Sequence, residues 1–293
     1  MSHKTAPFYG VCTALVTPMT KDGVDYGTLK ELIDWQIEQN VDALLICGTT
    51  GEASTLSSKE RQEVVARGIE MVDGRVPVIV GCGTNATTTT MAWCHHATAC
   101  GADGVLVITP YYNKGTQNGI VKHFLTVADT LTLPMILYHV PSRTGVTLNA
   151  KQIDEMANHP RIVAIKEADT SIDRLADEMA VAGDRLHFYA GNDSLAIPTL
   201  SMGGIGLISV ISNILPQEMG DILRLYQQGK TTESLTLARK LLPLVRLLFL
   251  DTNPAPIKYA LHQCGFGTGY LRLPLAEIDE GLKKKICEEL ALL

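Results

Sequence analysis

The sequence predicts an α/β fold, a (β/α)8 TIM barrel with a C-terminal three-helix extension. Two observations predict it: eight short β-rich apolar runs alternate with amphipathic stretches of helical period, and the β signals stop after Gly229. A doubly wound sheet normally has fewer parallel strands, so eight strand–helix units favour the barrel. We therefore expect residues 1–230 to form the barrel that carries the active site, and residues 231–293 to form the helical extension.

The predicted strands are runs of five or six mostly apolar residues, bounded by Gly, Pro, Thr or Asn. Near-continuous apolar runs are typical of parallel strands that are covered on both faces. In chain order, we predict strands at 11–16, 43–47, 76–80, 104–108, 135–139, 163–167, 186–190 and 206–210.

Amphipathic spacing predicts a helix after each strand and three more helices in the extension. Ser57, with Glu60 three residues later, has the pattern of a capping box at a helix start. The predicted barrel helices are 26–40, 58–72, 87–100, 116–131, 149–158, 172–182, 194–201 and 216–228. The predicted extension helices are 232–248, 254–264 and 275–292.

The composition is that of a globular protein, with 46% hydrophobic and 19% charged residues. The formal net charge is −6 and no basic run could follow a phosphate backbone, which disfavours a nucleic-acid partner. The first residues lack a signal-peptide pattern, and the most apolar stretch, 241–250, is short and contains Arg246. We expect a soluble cytoplasmic protein with no membrane segment.

Seven cysteines, an odd number without a C-x-x-C pair, favour reduced thiols in a cytosolic core. The one cluster with metal-ligand chemistry combines Cys94, His95, His96 and Cys100 with the nearby Cys82. Adjacent histidines on a helix point about 100° apart, and no second ligand pair has zinc-finger spacing. We therefore interpret these residues as helix packing and predict no metal site.

One predicted strand carries a lysine near its carboxyl end, where a barrel places its chemistry. Strand alternation puts Val163 and Ile165 on one face and Ala164 and Lys166 on the other. If the bulky face meets the helices, Lys166 lies inside the barrel, where burial disfavours a charged amine. A neutral amine can attack a carbonyl and form a Schiff base. The alternative is an ordinary strand-end lysine paired with a neighbouring carboxylate.

Other polar residues follow the predicted strands. Thr49 and Thr50, between two glycines, offer hydroxyl and backbone N–H donors for a carboxylate. Tyr138 could transfer protons and Tyr112 could extend a hydroxyl relay, although rim tyrosines are commonly structural. Arg143 could bind a carboxylate through a bidentate pair, or could be merely solvated. Together with the lysine, these residues predict a site for carbonyl chemistry.

A glycine motif supports a function of a different class. Residues 81–86 (Gly-Cys-Gly-Thr-Asn-Ala) match the G-x-G-x-x-G/A pattern of dinucleotide-binding proteins. The motif follows the third strand instead of opening the chain, and Asp103 precedes the next strand instead of ending it. A dinucleotide-binding protein built around Gly81 and Gly83 therefore stays the alternative from a different class.

Taken together, these segments resemble the pyruvate-dependent class I aldolases, the family of dihydrodipicolinate synthase and N-acetylneuraminate lyase. The resemblance covers nearly the whole chain. It includes Gly-Thr-Thr-Gly-Glu at 48–52, Pro-Ser-Arg-Thr-Gly at 141–145 and Ile-Lys-Glu-Ala at 165–168. Further matching blocks lie at 14–18, 109–113, 138–140, 206–210, 253–254 and 271–274. Arg143 favours the synthase branch, because sialic acid lyases typically lack this arginine.

The resemblance implies a condensation of pyruvate with L-aspartate 4-semialdehyde on the route to diaminopimelate and lysine, without a cofactor. By position, Lys166 would form the imine with pyruvate, and Thr49 and Thr50 would hold the pyruvate carboxylate. Tyr138 would transfer protons and would be linked through Thr49 to Tyr112. In this family, that last tyrosine reaches across a dimer interface.

The resemblance also implies roles for residues further from the imine. Arg143 would anchor the carboxylate of the semialdehyde, while the Gly191 backbone and the Ile208 carbonyl would support the site. The family suggests a homo-oligomer, a tetramer built as a dimer of dimers. A sialic acid or keto-deoxy sugar acid lyase stays the alternative within the family, because it would share Lys166 and Tyr138.

The chain departs from lysine-inhibited members of the family at the allosteric pocket. Those members use a Ser, two His, an Asn, a Glu and a Tyr. A carboxylate is missing at Thr89 and a cation is present at Arg61, which should weaken the binding of a cationic amino acid. We therefore predict weak or absent inhibition by lysine. The corresponding positions are Ala53, Ser58, Arg61, Asn85, Thr89 and Tyr111.

Overall fold

The structure is a computed structural model that describes residues 4–293. The described chain forms ten strands: β1 (Gly10–Ala14), β2 (Met19–Thr20), β3 (Gly23–Val24), β4 (Ala43–Ile46), β5 (Val78–Gly81), β6 (Gly104–Ile108), β7 (Met135–His139), β8 (Ile162–Glu167), β9 (His187–Ala190) and β10 (Gly206–Ser209). Eight of them close into a barrel in the order β1-β10-β9-β8-β7-β6-β5-β4, while β2 and β3 form a separate hairpin.

The helices are α1 (Tyr26–Glu38), α2 (Ser58–Val72), α3 (Thr87–Ala99), α4 (Gln117–Asp129), α5 (Pro141–Thr144), α6 (Ala150–Ala157), α7 (Ile172–Ala182), α8 (Ala196–Ser201), α9 (Pro216–Gln227), α10 (Thr231–Leu247), α11 (Ala255–Gln263) and α12 (Glu280–Leu290). Two 3-10 turns lie at Asp193–Leu195 and Ile211–Asn213. The strand–helix alternation and the closed strand order confirm the predicted TIM barrel.

Each predicted strand and helix is present, with small differences at the ends. The predicted capping box is confirmed, because the Ser57 side chain accepts from the Glu60 N–H and the Glu60 side chain accepts from the Ser57 N–H. The last helix begins at Glu280 and not at 275, because the Asp279 side chain accepts the Leu282 N–H and caps the helix there. The division at 230/231 stays a prediction.

The sequence interpretation missed two short elements. The β2–β3 hairpin has only two residues in each strand, too few for an alternating pattern to show. Helix α5 has four residues and follows β7 after a single residue, Val140. Pro141 at its first position and Gly145 in the left-handed region after its end are the signals that mark it.

The chain divides into two compact contact units. One unit contains the described residues up to Gly10 and Pro77–Ile208, and it includes β5 to β9 with their parallel pairing. Its buried residues are mainly Val, Ile, Leu and Ala from these strands and the helices after them.

The other unit contains Val11–Val76 and Ser209–Leu293, including α9 to α12. Asn213 stabilises the end of β1 and the residues after it. The Asn213 Nδ2 donates to the Ala14 carbonyl (2.8 Å), and the Asn213 Oδ1 accepts the Val16 N–H (3.1 Å). Gln36 of α1 donates to the Ser212 carbonyl at 2.9 Å. Side-chain amides thus satisfy buried backbone groups where regular ladders end.

Lys4 fastens the start of the described chain to the first unit. Its Nζ donates to the carbonyls of Ala157 (2.6 Å), His159 (2.8 Å) and Ile162 (2.6 Å), which join the end of α6 to the start of β8. Burial and the nearby Arg185 lower the pKa of Lys4 to about 8.

Among residues 4–293, no helix has both the length and the apolar character that a membrane crossing requires. None of the seven cysteines, all of which lie within the described residues, forms a disulfide, and four of them, Cys12, Cys47, Cys82 and Cys94, are buried. Burial raises the pKa of Cys47 to about 12, so this thiol packs as a neutral apolar group.

Candidate active site

Lys166 lies near the end of β8 and is only 5% exposed. Its register partner on β7 is Tyr138, which is also buried. The Lys166 Nζ lies 4.4 Å from the centroid of the Tyr138 ring. The structure therefore brings together the buried amine and the phenol to which the sequence assigned carbonyl chemistry and proton transfer.

The neighbouring residues of these two strands face the opposite side. His139 and Glu167 are also register partners, and their side chains hydrogen-bond to each other in a buried cluster with Glu178 of α7. Because strand side chains alternate, Lys166 lies on the face of β8 turned away from α7. Val163 and Ile165, the bulky residues that precede Lys166 in β8, lie on the side that faces the helix, as the alternation predicts.

The cluster behind the strands is buried and polar. His139 Nδ1 lies 2.7 and 2.9 Å from the two carboxylate oxygens of Glu167, and its Nε2 accepts the Leu148 N–H at 3.1 Å. Because Nε2 is an acceptor, Nδ1 carries the hydrogen and donates to Glu167. Arg174 NH2 lies 2.6 Å from a Glu178 carboxyl oxygen.

Burial determines the charge states of this cluster. It lowers the pKa of His139 to about 4, and nearby Arg174 acts in the same direction, so the imidazole is neutral at neutral pH. It raises the pKa of Glu178 to about 9, reinforced by the adjacent Glu167 carboxylate. Burial also raises the pKa of Glu167, but hydrogen bonds from Glu178 and from the Asp169 N–H oppose this effect.

Gly191 and Ile208 lie in well-packed surroundings. The Gly191 N–H donates to the Glu167 carbonyl at 2.7 Å. A Cβ on Gly191 would lie 2.7 Å from the Cβ of Ala168 and 2.8 Å from that same carbonyl oxygen, so only glycine fits. Ile208 is fully buried in β10.

Arg143 and Tyr112 are exposed. Arg143 lies in α5, which begins one residue after the end of β7, and it is therefore close along the chain to Tyr138. Tyr112 is 88% exposed and has a φ of 72°, in the left-handed region that a bulky residue rarely occupies. A tyrosine this exposed buries little of its ring against the described residues, and its backbone is strained.

The loop after β4 holds the two threonines. Thr50 is buried, and its Oγ1 accepts a hydrogen bond from Asn253 Nδ2 at 3.0 Å. The Thr49 carbonyl accepts the Glu52 N–H at 3.1 Å, and Glu52 has a φ of 52°. The loop is therefore a tight turn whose Thr50 hydroxyl is oriented by a side chain from just before α11.

The same loop is fixed by a buried ion pair. Lys258 of α11 donates to Glu52, and both side chains are almost completely buried. Burial lowers the pKa of Lys258, although the Glu52 carboxylate opposes this effect. The Arg272 N–H also approaches Glu52 Oε2 at 3.4 Å. The turn that carries Thr49 and Thr50 is thus held from the C-terminal helices.

Among the described residues, the one group of three close metal-ligating side chains is His139, Glu167 and Glu178, whose ligand atoms lie within 4.8 Å of one another. The Arg174 guanidinium beside Glu178 supplies a positive charge there, so an added cation would be repelled. In the cysteine–histidine cluster considered above, Cys100 Sγ lies 3.6 Å from His96 Nε2, at the spacing of a weak hydrogen bond.

The glycine motif at 81–86 has a packing explanation. A Cβ on Gly83 would lie 2.3 Å from the backbone nitrogen of Ile108, at the end of β6. The missing side chain is thus needed for close contact between neighbouring strand ends, not for the approach of a pyrophosphate.

The sequence interpretation missed the buried partners of its own site residues. His139 and Glu167 directly follow Tyr138 and Lys166 in the sequence, so their proximity could have been predicted. Glu178 lies in the next helix, α7, and its proximity could not. Asn253 was noted only as part of a matching block, and its hydrogen bond to Thr50 depends on the tertiary fold.

Comparison with known proteins gives a consistent result. Residues 7–292 match the dihydrodipicolinate synthetase family. A protein from Clostridium acetobutylicum named 4-hydroxy-tetrahydrodipicolinate synthase 1 is 47% identical over 273 residues, which cover 93% of each chain.

Solved structures agree with this match. The dihydrodipicolinate synthase from Acinetobacter baumannii, described as chloride-inhibited and complexed with pyruvate, has a TM-score of 0.94 and 37% identity, covering 97% of this chain and 98% of the relative. The enzyme from Cyanidioschyzon merolae, described with lysine bound, has a TM-score of 0.94 and 34% identity, covering 98% of each chain. The chain therefore belongs to the dihydrodipicolinate synthetase family.

Proposed function

We propose that the protein condenses pyruvate with L-aspartate 4-semialdehyde, as a 4-hydroxy-tetrahydrodipicolinate synthase, through an imine on Lys166. The observation that carries the proposal is the buried Lys166 amine beside the Tyr138 ring. The name of the Clostridium acetobutylicum relative and the pyruvate in the Acinetobacter baumannii relative support this choice of reaction and substrate.

The reaction needs no metal or redox cofactor, because the imine itself serves as the electron sink. The Lys166 amine, in its deprotonated form, attacks the ketone carbon of pyruvate, and water leaves as the imine forms. The imine acidifies the pyruvate methyl group, which loses a proton and becomes an enamine. The enamine carbon bonds to the semialdehyde aldehyde carbon, and the substrate amine then displaces Lys166 as the ring closes.

The other site residues have roles in binding and proton transfer in this proposal. Thr49 and Thr50 hold the pyruvate carboxylate, and Asn253 fixes the orientation of the Thr50 hydroxyl. Tyr138 moves protons during imine formation and cyclisation, and is linked through Thr49 to Tyr112 of a second copy. The exposure of Tyr112 supports its place at an interface between copies.

The remaining residues bind the second substrate and support the site. Arg143, exposed on α5, binds the carboxylate of the semialdehyde. The backbone of Gly191 and the carbonyl of Ile208 line the site. The protein works in the cytoplasm as a homo-oligomer, a tetramer built from two dimers.

Trapping with borohydride tests the imine directly. Borohydride with pyruvate should add the reduced pyruvyl group to the peptide that contains Lys166, and Lys166→Met should abolish this adduct. Borohydride without pyruvate is the control. An unmodified Lys166 in the wild-type protein would refute the imine mechanism.

Coupled assays test the choice of second substrate. Aspartate semialdehyde should be consumed with pyruvate, while sialic acid and keto-deoxy sugar acids should not be cleaved. Arg143→Ala should raise the KM for the semialdehyde and leave pyruvate trapping intact, because the lost bidentate contact belongs to the semialdehyde. Equal activity of this variant would contradict the assignment of Arg143, and cleavage of a sugar acid would indicate a lyase.

We also propose that lysine inhibits the protein weakly or not at all. The relative from Cyanidioschyzon merolae was determined with lysine bound. In this chain, Thr89 replaces a carboxylate and Arg61 adds a cation at the corresponding pocket, which disfavours a cationic ligand. A micromolar inhibition constant for L-lysine would contradict this proposal.

A further inference from the structure

The buried cluster behind β7 and β8 contains two carboxyl groups but only one side chain that is positively charged at neutral pH. We call His139, Glu167, Glu178 and Arg174 the buried carboxyl network. Its only cation at neutral pH is Arg174, because His139 is neutral. Two ionised carboxylates would leave a net negative charge in a site where Glu167 and Glu178 are 5% and 1% exposed. Burying an unpaired charge is strongly unfavourable, so one carboxyl should keep its proton.

The position of Arg174 shows which carboxyl is less well compensated. Its guanidinium contacts Glu178 at 2.6 Å, but it also lies 3.7 Å from Asp169 and donates to the Leu148 carbonyl. Glu167 accepts hydrogen bonds from His139 Nδ1 and from the Asp169 N–H at 2.6 Å. Glu167 thus has donors that stabilise its anion, and Glu178 depends on a shared cation.

We propose that Glu178 carries a proton that it shares with Glu167, and that this carboxyl pair, held by His139, is a positioning device for Lys166 and Tyr138. The positioning role rests on the proposed function, while the proton sharing is a property of the folded chain alone.

Strand register connects the pair to the chemistry. Glu167 follows Lys166, and His139 follows Tyr138, so the hydrogen bond between His139 and Glu167 fixes the two strands one residue beyond the reacting side chains. The Glu167 carbonyl also accepts the Gly191 N–H at 2.7 Å. Movement of Glu167 would therefore shift the end of β8 against both neighbouring strands.

Loss of the shared proton should have a mechanical effect. Two adjacent carboxylates repel each other, and Glu178 is on a helix while Glu167 is on a strand. The groups that face Glu178 are Glu167 on β8, His139 on β7, Arg174 on its own helix and Asp169 in the loop after β8. None of these groups can replace the lost proton at alkaline pH. The repulsion between the Glu167 and Glu178 carboxylates would therefore act on the end of β8.

Infrared spectroscopy tests the shared proton without reference to catalysis. The wild-type protein at pH 7.5 should show the carbonyl stretch of a protonated carboxylic acid, with a deuterium shift in heavy water. Glu178→Gln should remove this band, because its amide keeps the shape and replaces the O–H donor with an N–H donor, but has no acid proton. Asp177→Asn, an exposed neighbour on α7, is the matched control and should keep the band. Proton sharing would be overturned if the wild-type protein showed no such band, or if Glu178→Gln left the band unchanged.

Steady-state kinetics test the positioning role. Glu178→Gln should keep kcat within about twofold at pH 7.5 and should hold it to higher pH than the wild type, whereas Glu178→Leu should lower kcat about tenfold with little change in the KM for pyruvate. Asp177→Asn should follow the wild-type profile. Superimposed alkaline limbs for the wild type and Glu178→Gln would overturn the positioning role. If the infrared band is present but borohydride adds no pyruvyl group, the proposed function fails and proton sharing stands.

Discussion

His123 and His139 are buried, and burial lowers the pKa of each to about 4. An unfolded chain binds their protons near pH 6.5, while the folded chain resists binding them until about pH 4. The stability they contribute is fully present above pH 6.5 and is lost as the pH falls through this window. The free energy of unfolding should fall by about 1.4 kcal/mol per pH unit for each histidine.

Replacement of one histidine should isolate its share of this acid sensitivity. His123 Nδ1 pairs with Thr87 Oγ1 at 2.9 Å, and its Nε2 has no hydrogen-bond partner among the described residues. Urea unfolding at several pH values from 4.5 to 7 should give a shallower decline for His123→Gln than for the wild type. The exposed His95→Gln is the control, and equal slopes for all three proteins would contradict the prediction.

At the scale of one element, α2 begins with a complete capping box. The Ser57 hydroxyl accepts the Glu60 N–H, while Glu60 is also held by the Arg272 guanidinium, which helps to lower its pKa to about 2. Ser57→Ala should reduce the free energy of unfolding by about 1 kcal/mol, because an N-cap acceptor is lost. Ser58→Ala, one residue further and exposed, should change it little. Equal losses in chemical denaturation would show that the cap is not responsible.

Helix α11 is tied to the loop after β4 by Lys258 and Glu52. Lys258→Met leaves a buried carboxylate without its cation, and should destabilise the fold by about 3–5 kcal/mol. The double variant Lys258→Met with Glu52→Gln should recover a large part of this loss, because no uncompensated charge stays buried. Denaturant midpoints of the two single variants and the double variant give the coupling. A double variant no more stable than Lys258→Met would indicate that packing, and not charge, dominates.

For the whole molecule, the proposed role of Tyr112 predicts complementation between inactive variants. Tyr112→Ala and Lys166→Ala should each have little synthase activity alone. If Tyr112 serves the site of a partner copy, mixed dimers contain one site with both residues intact, so activity should reappear after subunit exchange. Light scattering should confirm a mass that is a multiple of 31.8 kDa. If no mixing ratio restored activity, Tyr112 would belong to the site of its own chain.

The sequence predicted the barrel because strand and helix periods are local properties of the chain. Alternation also gave the correct face for Lys166. It could not connect Glu178 with Glu167, because the rotation of α7 about its axis depends on tertiary packing. The four-residue helix around Arg143 was missed because so short an element has no period of its own.

The charge states of the buried side chains could not be predicted from the sequence for a similar reason. His139 reads as an ordinary histidine until the structure shows that its surroundings exclude water. Gly83 illustrates the opposite case, because a pattern typical of nucleotide binding, which the sequence left only as an alternative, is explained by contact with Ile108. The resemblance of separate blocks supplied what periodicity could not, namely which strand ends share one chemistry.

The buried contacts of Lys4 affect how the results of amine-directed labelling of this protein must be interpreted. With a pKa of about 8, this residue has a large neutral fraction in mildly alkaline buffer, unlike an ordinary surface lysine. Reagents that select for deprotonated amines should therefore also modify Lys4, which is far along the chain from Lys166. Its three carbonyl partners should slow such labelling, because only the ammonium form has three N–H donors for them. Only a read-out resolved to individual peptides identifies the lysine that has reacted.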